Sequence, residues 1–148
     1  FERHGQGFHN LAAANSEHSC DCKEPSPSGK CPYLDPKLLD PHLTELGHEQ
    51  MKPLAKETEA LSAQPEVVIV SPLCRAIQTA LFGFQHLVHK KVPFVVYENA
   101  REISGRHICD KRRSTSEIKK EFPELDFAHI KGEEDTMWTE EREDYAHL

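Results

Sequence analysis

At 148 residues with 37% hydrophobic content, the chain suits one globular domain over 1–148, and apolar runs such as Val67–Val70 are far too short to span a bilayer. A formal net charge of −7 excludes the broad basic surface that nonspecific nucleic-acid binding needs, and leaves room for a local basic pocket for a small anion. Five cysteines, with Cys74 and Cys109 inside ordinary structural segments, argue against a disulfide scaffold and for a reducing compartment, the cytoplasm; the opening residues also lack the pattern of a secretory signal.

The opening stretch FERHGQGFHN reads as a loop that follows a strand reduced to Phe1 and Glu2. Residues 17–42 carry five prolines and no sustained periodicity, which predicts a long loop insertion. Thr44 is a helix cap, and Leu46, Met51, Leu54 and Leu61 recur at helical spacing, with Gly47 and Pro53 weakening or bending the early turns. Residues 66–70, EVVIV, read as a central strand covered on both faces. Ser71 and Pro72 suit the cap and first position of a helix reaching about His89, whose inward stripe is Ile77, Ala80, Leu81, Phe84 and Leu87 or Val88.

A second strand, PFVVYE, follows, and Ser114 to Glu117 spells a capping box for another helix. Strand, helix, strand in this order implies a right-handed βαβ unit and a largely parallel sheet. The acidic segment 133–148, with seven acidic residues and one arginine, reads as a solvated helix face or tail in preference to a binding element.

Parallel sheets put functional loops past the carboxyl ends of their strands, and three such loops hold Arg3 with His4, Arg75, and Glu102. Guanidinium forks at Arg3 and Arg75 suit a phosphate dianion, with Arg75 near a helix start that also favours anions. A neutral nitrogen of His4 can attack phosphorus, giving a phosphohistidine that divides one hard displacement into two. Glu102 can protonate the departing alkoxide if it is partly buried. This scheme calls for no cofactor and no metal. Each arginine taken alone is more often a surface salt-bridge partner.

The combination decides the matter. RHGQGFHN, then LTELGHEQ, SPLCRAIQTA and ENAREISG, resembles the histidine phosphatase superfamily, with its phosphoglycerate mutase-like fold. The resemblance covers roughly Arg3 to Arg113 and is similar in flavour to the fungal, plant and protist members. It implies a three-layer α/β/α sandwich with a mostly parallel sheet, seen here incomplete at both ends. It also implies that His4 is the nucleophile, that Arg3, Arg75 and Asn10 hold the phosphoryl group, and that Glu102 is the proton donor. Ser71 and Gln78 look like framework by the same likeness, while Gly5 and Gly7 fit a loop needing positive φ or a close backbone approach. The family's second histidine has no counterpart, since His129 is followed by Ile130 and His147 is penultimate; the expectation is therefore a fragment of a longer enzyme.

A basic rim of Lys111, Arg112 and Arg113 past Glu102 is a candidate for a second phosphate or carboxylate of a small phosphorylated substrate, with a solvent-facing basic turn as the equal alternative. Phosphatase is preferred over mutase, whose matching loop usually reads closer to RHGESxWN; a noncatalytic relative used for protein contacts is the third reading. Neither nucleic acid nor membrane is expected as a partner. Finally, His18, Cys20, Cys22 and Cys31 form H-x-C-x-C-x8-C, a zinc-compatible pattern, although the tight C-x-C and the Pro/Ser filler favour an ordinary insertion.

Overall fold

The computed structural model describes residues 2–18, 20 and 31–143. The reduced strand at Phe1, the cysteine at position 22, the tail 144–148 and His147 lie outside the described residues. Five α-helices and two strands are found among the described residues: α1 (Phe8–Ala14), α2 (Glu45–Glu59), β1 (Val68–Val70), α3 (Cys74–Gly83), α4 (Gln85–His89), β2 (Phe94–Val96) and α5 (Thr115–Glu121). The strands pair in parallel, Val68 with Phe94 and Val70 with Val96, so the expected α/β class with a parallel sheet is what the chain adopts.

The order of the sheet corrects one expectation. Asp126 forms a parallel bridge to Val95, with Val96 N–H donating to Asp126 O at 2.8 Å and Asp126 N–H to Phe94 O at 2.8 Å. Among the described residues β2 is thus flanked by β1 and the Asp126 segment, and β1 is not covered on both faces. Val70 is buried, but Ile69 is 63% exposed, because its side faces a cavity instead of a packed layer.

Helix α3 also begins later than Ser71 and Pro72 suggest. Its cap is Leu73, and Ser71 contributes only a long 3.5 Å acceptance from Leu73 N–H. The expected single helix to His89 breaks at Phe84 (φ −119°, ψ 30°), leaving α4 as a separate short helix. The predicted stripe holds through this break: Ile77, Ala80 and Leu87 are buried, joined in one core by Val70, Phe94, Val96, Ile118, Phe122, Leu125 and Phe127. Each buried Val, Leu, Ile or Phe side chain of this core contributes about 1.5–3 kcal/mol.

Two predicted caps form as read. Thr44 Oγ1 accepts from Gly47 N–H at 3.1 Å to start α2, and Ser114 and Glu117 bond reciprocally to start α5. On α2 the apolar stripe is only half right: Met51 is buried, whereas Leu46 and Leu61 are exposed, and the close face is instead made by Gly47 and Thr58. Over residues 133–143 the acidic segment forms no helix and is not simply solvated. It returns along the 104–115 region, where Asp135 is buried and accepts from Arg101 Nη1 at 2.7 Å, Arg112 N–H at 2.9 Å and Trp138 N–H at 3.1 Å. Gly105, at φ +87°, lets this return approach, since a Cβ there would stand 2.0 Å from Glu141 O.

Candidate active site

The opening loop is fixed from three sides. Gly5 N–H donates to Thr79 Oγ1 on α3 at 3.1 Å, Gln6 N–H to Gln50 Oε1 on α2 at 2.8 Å, and Gln6 O accepts from Thr44 N–H at 2.8 Å. The α2 backbone crosses so closely that a Cβ on Gly47 would sit 2.2 Å from Gln6 O, and one on Gly5 2.8 Å from Gly47 O. Close approach, and not positive φ, is therefore what Gly5 provides.

His4 is held in one orientation by this loop. Its Nδ1 lies 2.6 Å from Gly5 O, a contact that requires the proton on Nδ1, while Nε2 is buried and has no hydrogen-bond partner among the described residues. Burial lowers the imidazole pKa from its ordinary 6.5, and the charge of Arg75 adds to this against the opposing pull of the Gly5 carbonyl. The ring is thus neutral near pH 7, with a bare lone pair on Nε2.

Arg75, in the first turn of α3, is 1% exposed. Nη1 donates to Cys109 O at 2.6 Å and Nη2 to Asp110 Oδ1 at 3.1 Å, so the guanidinium is anchored from behind while Nε has no partner. Asp110 also receives Arg142 and faces His107 Nδ1 at 3.7 Å. Burial works to raise its carboxyl pKa, but His107, Arg142 and Arg75 outweigh it and hold the value to about 2. Asp110 therefore stays anionic and keeps Arg75 oriented.

Arg3, His4, Arg75 and Glu102 share the wall of one cavity of about 640 Å³, with Val70, Ser71 and Thr79 among its other lining residues. Arg3 Nε stands 4.0 Å from Glu102 Oε1, and both side chains are mostly exposed, 73% and 57%. Glu102 is accordingly a rim residue and not the partly buried acid envisaged from the sequence.

The remaining expected contacts lie elsewhere. Asn10 is not on this wall; its Oδ1 accepts from Gly7 N–H at 2.9 Å and closes the first turn of α1. Lys111 Nζ sits 4.8 Å over the Trp138 ring. Arg112 is 2% exposed, bonding Glu98 Oε1 and the carbonyls of Arg113, Glu133 and Glu134 at 2.9–3.0 Å. Arg113 bonds Cys74 Sγ and Glu121. Arg112 and Arg113 are therefore structural cations and not a substrate rim, Arg112 held by Glu98 and by the carbonyls of Glu133 and Glu134, and Arg113 by Glu121 of α5. Gln78 acts as framework as expected, accepting from Leu43 N–H at 2.8 Å.

Two participants were not singled out from the sequence. Asp110 sits in the same HICDKRRS stretch, an acid beside a run of cations, but its pairing with Arg75 spans 35 positions. His9 is buried 5.4 Å, centroid to centroid, from His4, and burial followed by the Arg75 charge drops its pKa to about 3. It is an uncharged wall beside His4.

A parallel α/β sheet here brings an imidazole and two guanidiniums to one cavity, an arrangement whose chemistry can hold an anion. The family model of the histidine phosphatase superfamily (branch 1) matches residues 37–148, and the chain belongs to that superfamily. It is 33% identical over 92% of its length to a phosphoglycerate mutase-like protein of Arabidopsis thaliana, of which it covers 55%. It is 35% identical over 94% of its length to a probable phosphoglycerate mutase of Arthroderma benhamiae, covering 43% of that protein. Similarity at 32% identity over 60% of the chain extends to a probable phosphatase of Schizosaccharomyces pombe, 41% of which is covered. The chain thus spans about half the length of these curated relatives, or less.

Proposed function

We propose that the protein transfers phosphoryl groups through a phosphohistidine at His4 and hydrolyses small phosphomonoesters. The observation carrying this reading is the His4 ring: Nδ1 is tied to Gly5 O and Nε2 is buried, unpartnered and neutral, beside the cavity that Arg3 and Arg75 share. Nε2 attacks phosphorus as the P–O bond to the ester oxygen breaks, its electron pair leaving with that oxygen, which takes a proton from Glu102, a role that requires bound substrate to cover this exposed rim carboxyl. Water then attacks the phosphohistidine and gives its proton to the Glu102 carboxylate; inorganic phosphate leaves and His4 is restored. Arg3 and Arg75 carry the charge that builds on the non-bridging oxygens. Asn10 requires a change of partner before it can join them, because Gly7 N–H holds its Oδ1.

Return of the phosphoryl group to a second substrate hydroxyl, a mutase reaction, is the alternative favoured by the names of the plant and fungal relatives. The opening loop RHGQGFHN favours water as acceptor, as does the phosphatase name of the fission-yeast relative. No helix among the described residues is long and apolar enough to cross a membrane, and we assign the protein to the cytosol on its odd cysteine count. The test is turnover of an aryl phosphate by protein containing this chain, without added metal. His4→Ala should abolish it while leaving the folding transition in place; undiminished turnover would falsify the nucleophile assignment.

A further inference from the structure

The sequence pattern of histidine and cysteines before Pro32 is not absorbed by phosphoryl chemistry. The structure rearranges it. His18 is exposed and bonds locally to Ser16, whereas Cys20 and Cys31 converge on His107, a residue 76 positions after Cys31 that the spacing pattern did not include. One donor atom from each, Sγ of the two cysteines and a ring nitrogen of His107, lies within 4.8 Å of the other two, and Cys20 Sγ is 3.2 Å from His107 Nε2. Tetrahedral zinc with thiolate and imidazole ligands sets donor–donor edges of about 3.5–3.8 Å, so small side-chain movements close the set.

The surroundings suit a soft cation. Cys31 and His107 are buried at 6% and 3% exposure, and each starts a tight 3-10 turn. Cys31 O accepts from Leu34 N–H at 3.1 Å and His107 O from Asp110 N–H at 3.1 Å, while Trp138 Nε1–H bonds His107 O at 2.8 Å; two donors are therefore on fixed backbone. Behind the imidazole, Asp110 Oδ2 faces Nδ1 at 3.7 Å. A carboxylate behind a histidine whose Nε2 faces thiolates is the outer-shell arrangement of zinc-binding histidines. A second convergence, His42, Cys74 and Glu121, lacks this character because the Arg113 guanidinium already bonds both Cys74 Sγ and Glu121.

We propose that Cys20, Cys31 and His107 bind one zinc ion, which clips the cysteine loop to the turn that carries Asp110. Binding releases the two thiol protons to solvent and leaves one tetrahedral position for water or another donor. The clip ends at the anion site: Asp110 holds Arg75, and the rings of His107, Tyr33, His9 and His4 follow one another at 4.9, 6.1 and 5.4 Å. The site is independent of whether His4 carries phosphate.

The experiment is zinc content by mass spectrometry on protein purified under reducing conditions without chelator. About one equivalent per chain is expected, falling below about a tenth in Cys31→Ala and His107→Phe and returning in His107→Cys, while Cys74→Ala keeps its metal. Cobalt titration of the chelator-stripped wild type does not depend on any variant folding, and should give thiolate-to-cobalt charge-transfer absorption with strong tetrahedral visible bands, displaced by zinc. Wild-type protein free of zinc and lacking these bands would overturn the site. So would zinc content indifferent to His107→Phe, or a Cys20–Cys31 disulfide in metal-free, freshly purified protein.

Discussion

Replacing Gly47 with alanine separates local propensity from tertiary geometry at the loop that carries His4. Alanine in a helix is favoured over glycine by about 1 kcal/mol, so propensity alone predicts a stabilised α2. The structure predicts the reverse. The new Cβ would lie 2.2 Å from Gln6 O, where side-chain carbons are essentially never closer than 3.0 Å, so helix and loop must part by at least 0.8 Å. Gln6 O cannot yield freely, because it accepts from Thr44 N–H at 2.8 Å and Thr44 Oγ1 at 3.2 Å, the residue that caps the same helix. Overpacking of this kind costs about 1–3 kcal/mol and a weakened hydrogen bond about 1 more, which leaves a net loss of about 1–3 kcal/mol after the propensity gain. Urea unfolding followed by circular dichroism would register this as a lower midpoint at unchanged slope. A Gly47→Ala protein as stable as the wild type, or more so, would refute the claim that this crossing positions the His4 loop.

Three further outcomes are expected. Asp110 has its carboxyl pKa held at about 2 against an ordinary 3.8, so it contributes about 2 kcal/mol of stability that is present above pH 4 and is lost as pH falls toward 2; Asp110→Asn should lose that part of the acid-unfolding profile, and an unchanged profile would show that the Arg75 and Arg142 pairs are inert. His4 is shifted below 6.5 by burial and Arg75, so the acid limb of phosphohistidine formation should fall below pH 6.5, and a limb at or above that value would mean a solvated ring. Arg112→Met should lower stability by about 3 kcal/mol in thermal unfolding, because it leaves the Glu133 and Glu134 carbonyls without their donors; a selective rise in KM with stability intact would instead restore Arg112 to substrate binding.

What the sequence makes legible divides along a physical line. The Thr44 cap, the Ser114–Glu117 capping box and the Ile77–Leu87 stripe depend on neighbours within a few turns, and all appear where local spacing puts them. Arg75 and Glu102 reach one cavity because β1 and β2 are parallel and deliver their following loops to one edge, where Arg3 and His4 join them. For the basic triplet the sequence leaves two readings level, because charge type does not reveal whether a distant segment supplies acceptors: Arg112 is consumed by the carbonyls of Glu133 and Glu134, which fold back from the acidic segment. Likewise the apolar run EVVIV signals two covered faces, yet Ile69 is exposed, since covering depends on which segment lies against it. The His107–Cys20–Cys31 convergence joins residues far apart in the chain, and no periodicity reports it.

The most direct test of the account is to trap the covalent state. Incubation of protein containing this chain with a small phosphoryl donor, quenching at alkaline pH and peptide mass spectrometry should place one phosphate on the peptide bearing His4, stable to base and lost in acid. The Arg75→Ala protein should accumulate far less of it. A phosphate found on another residue, or none on His4 while a phosphomonoester is being turned over, would contradict the central claim that this half-buried imidazole is the group that receives the phosphoryl moiety.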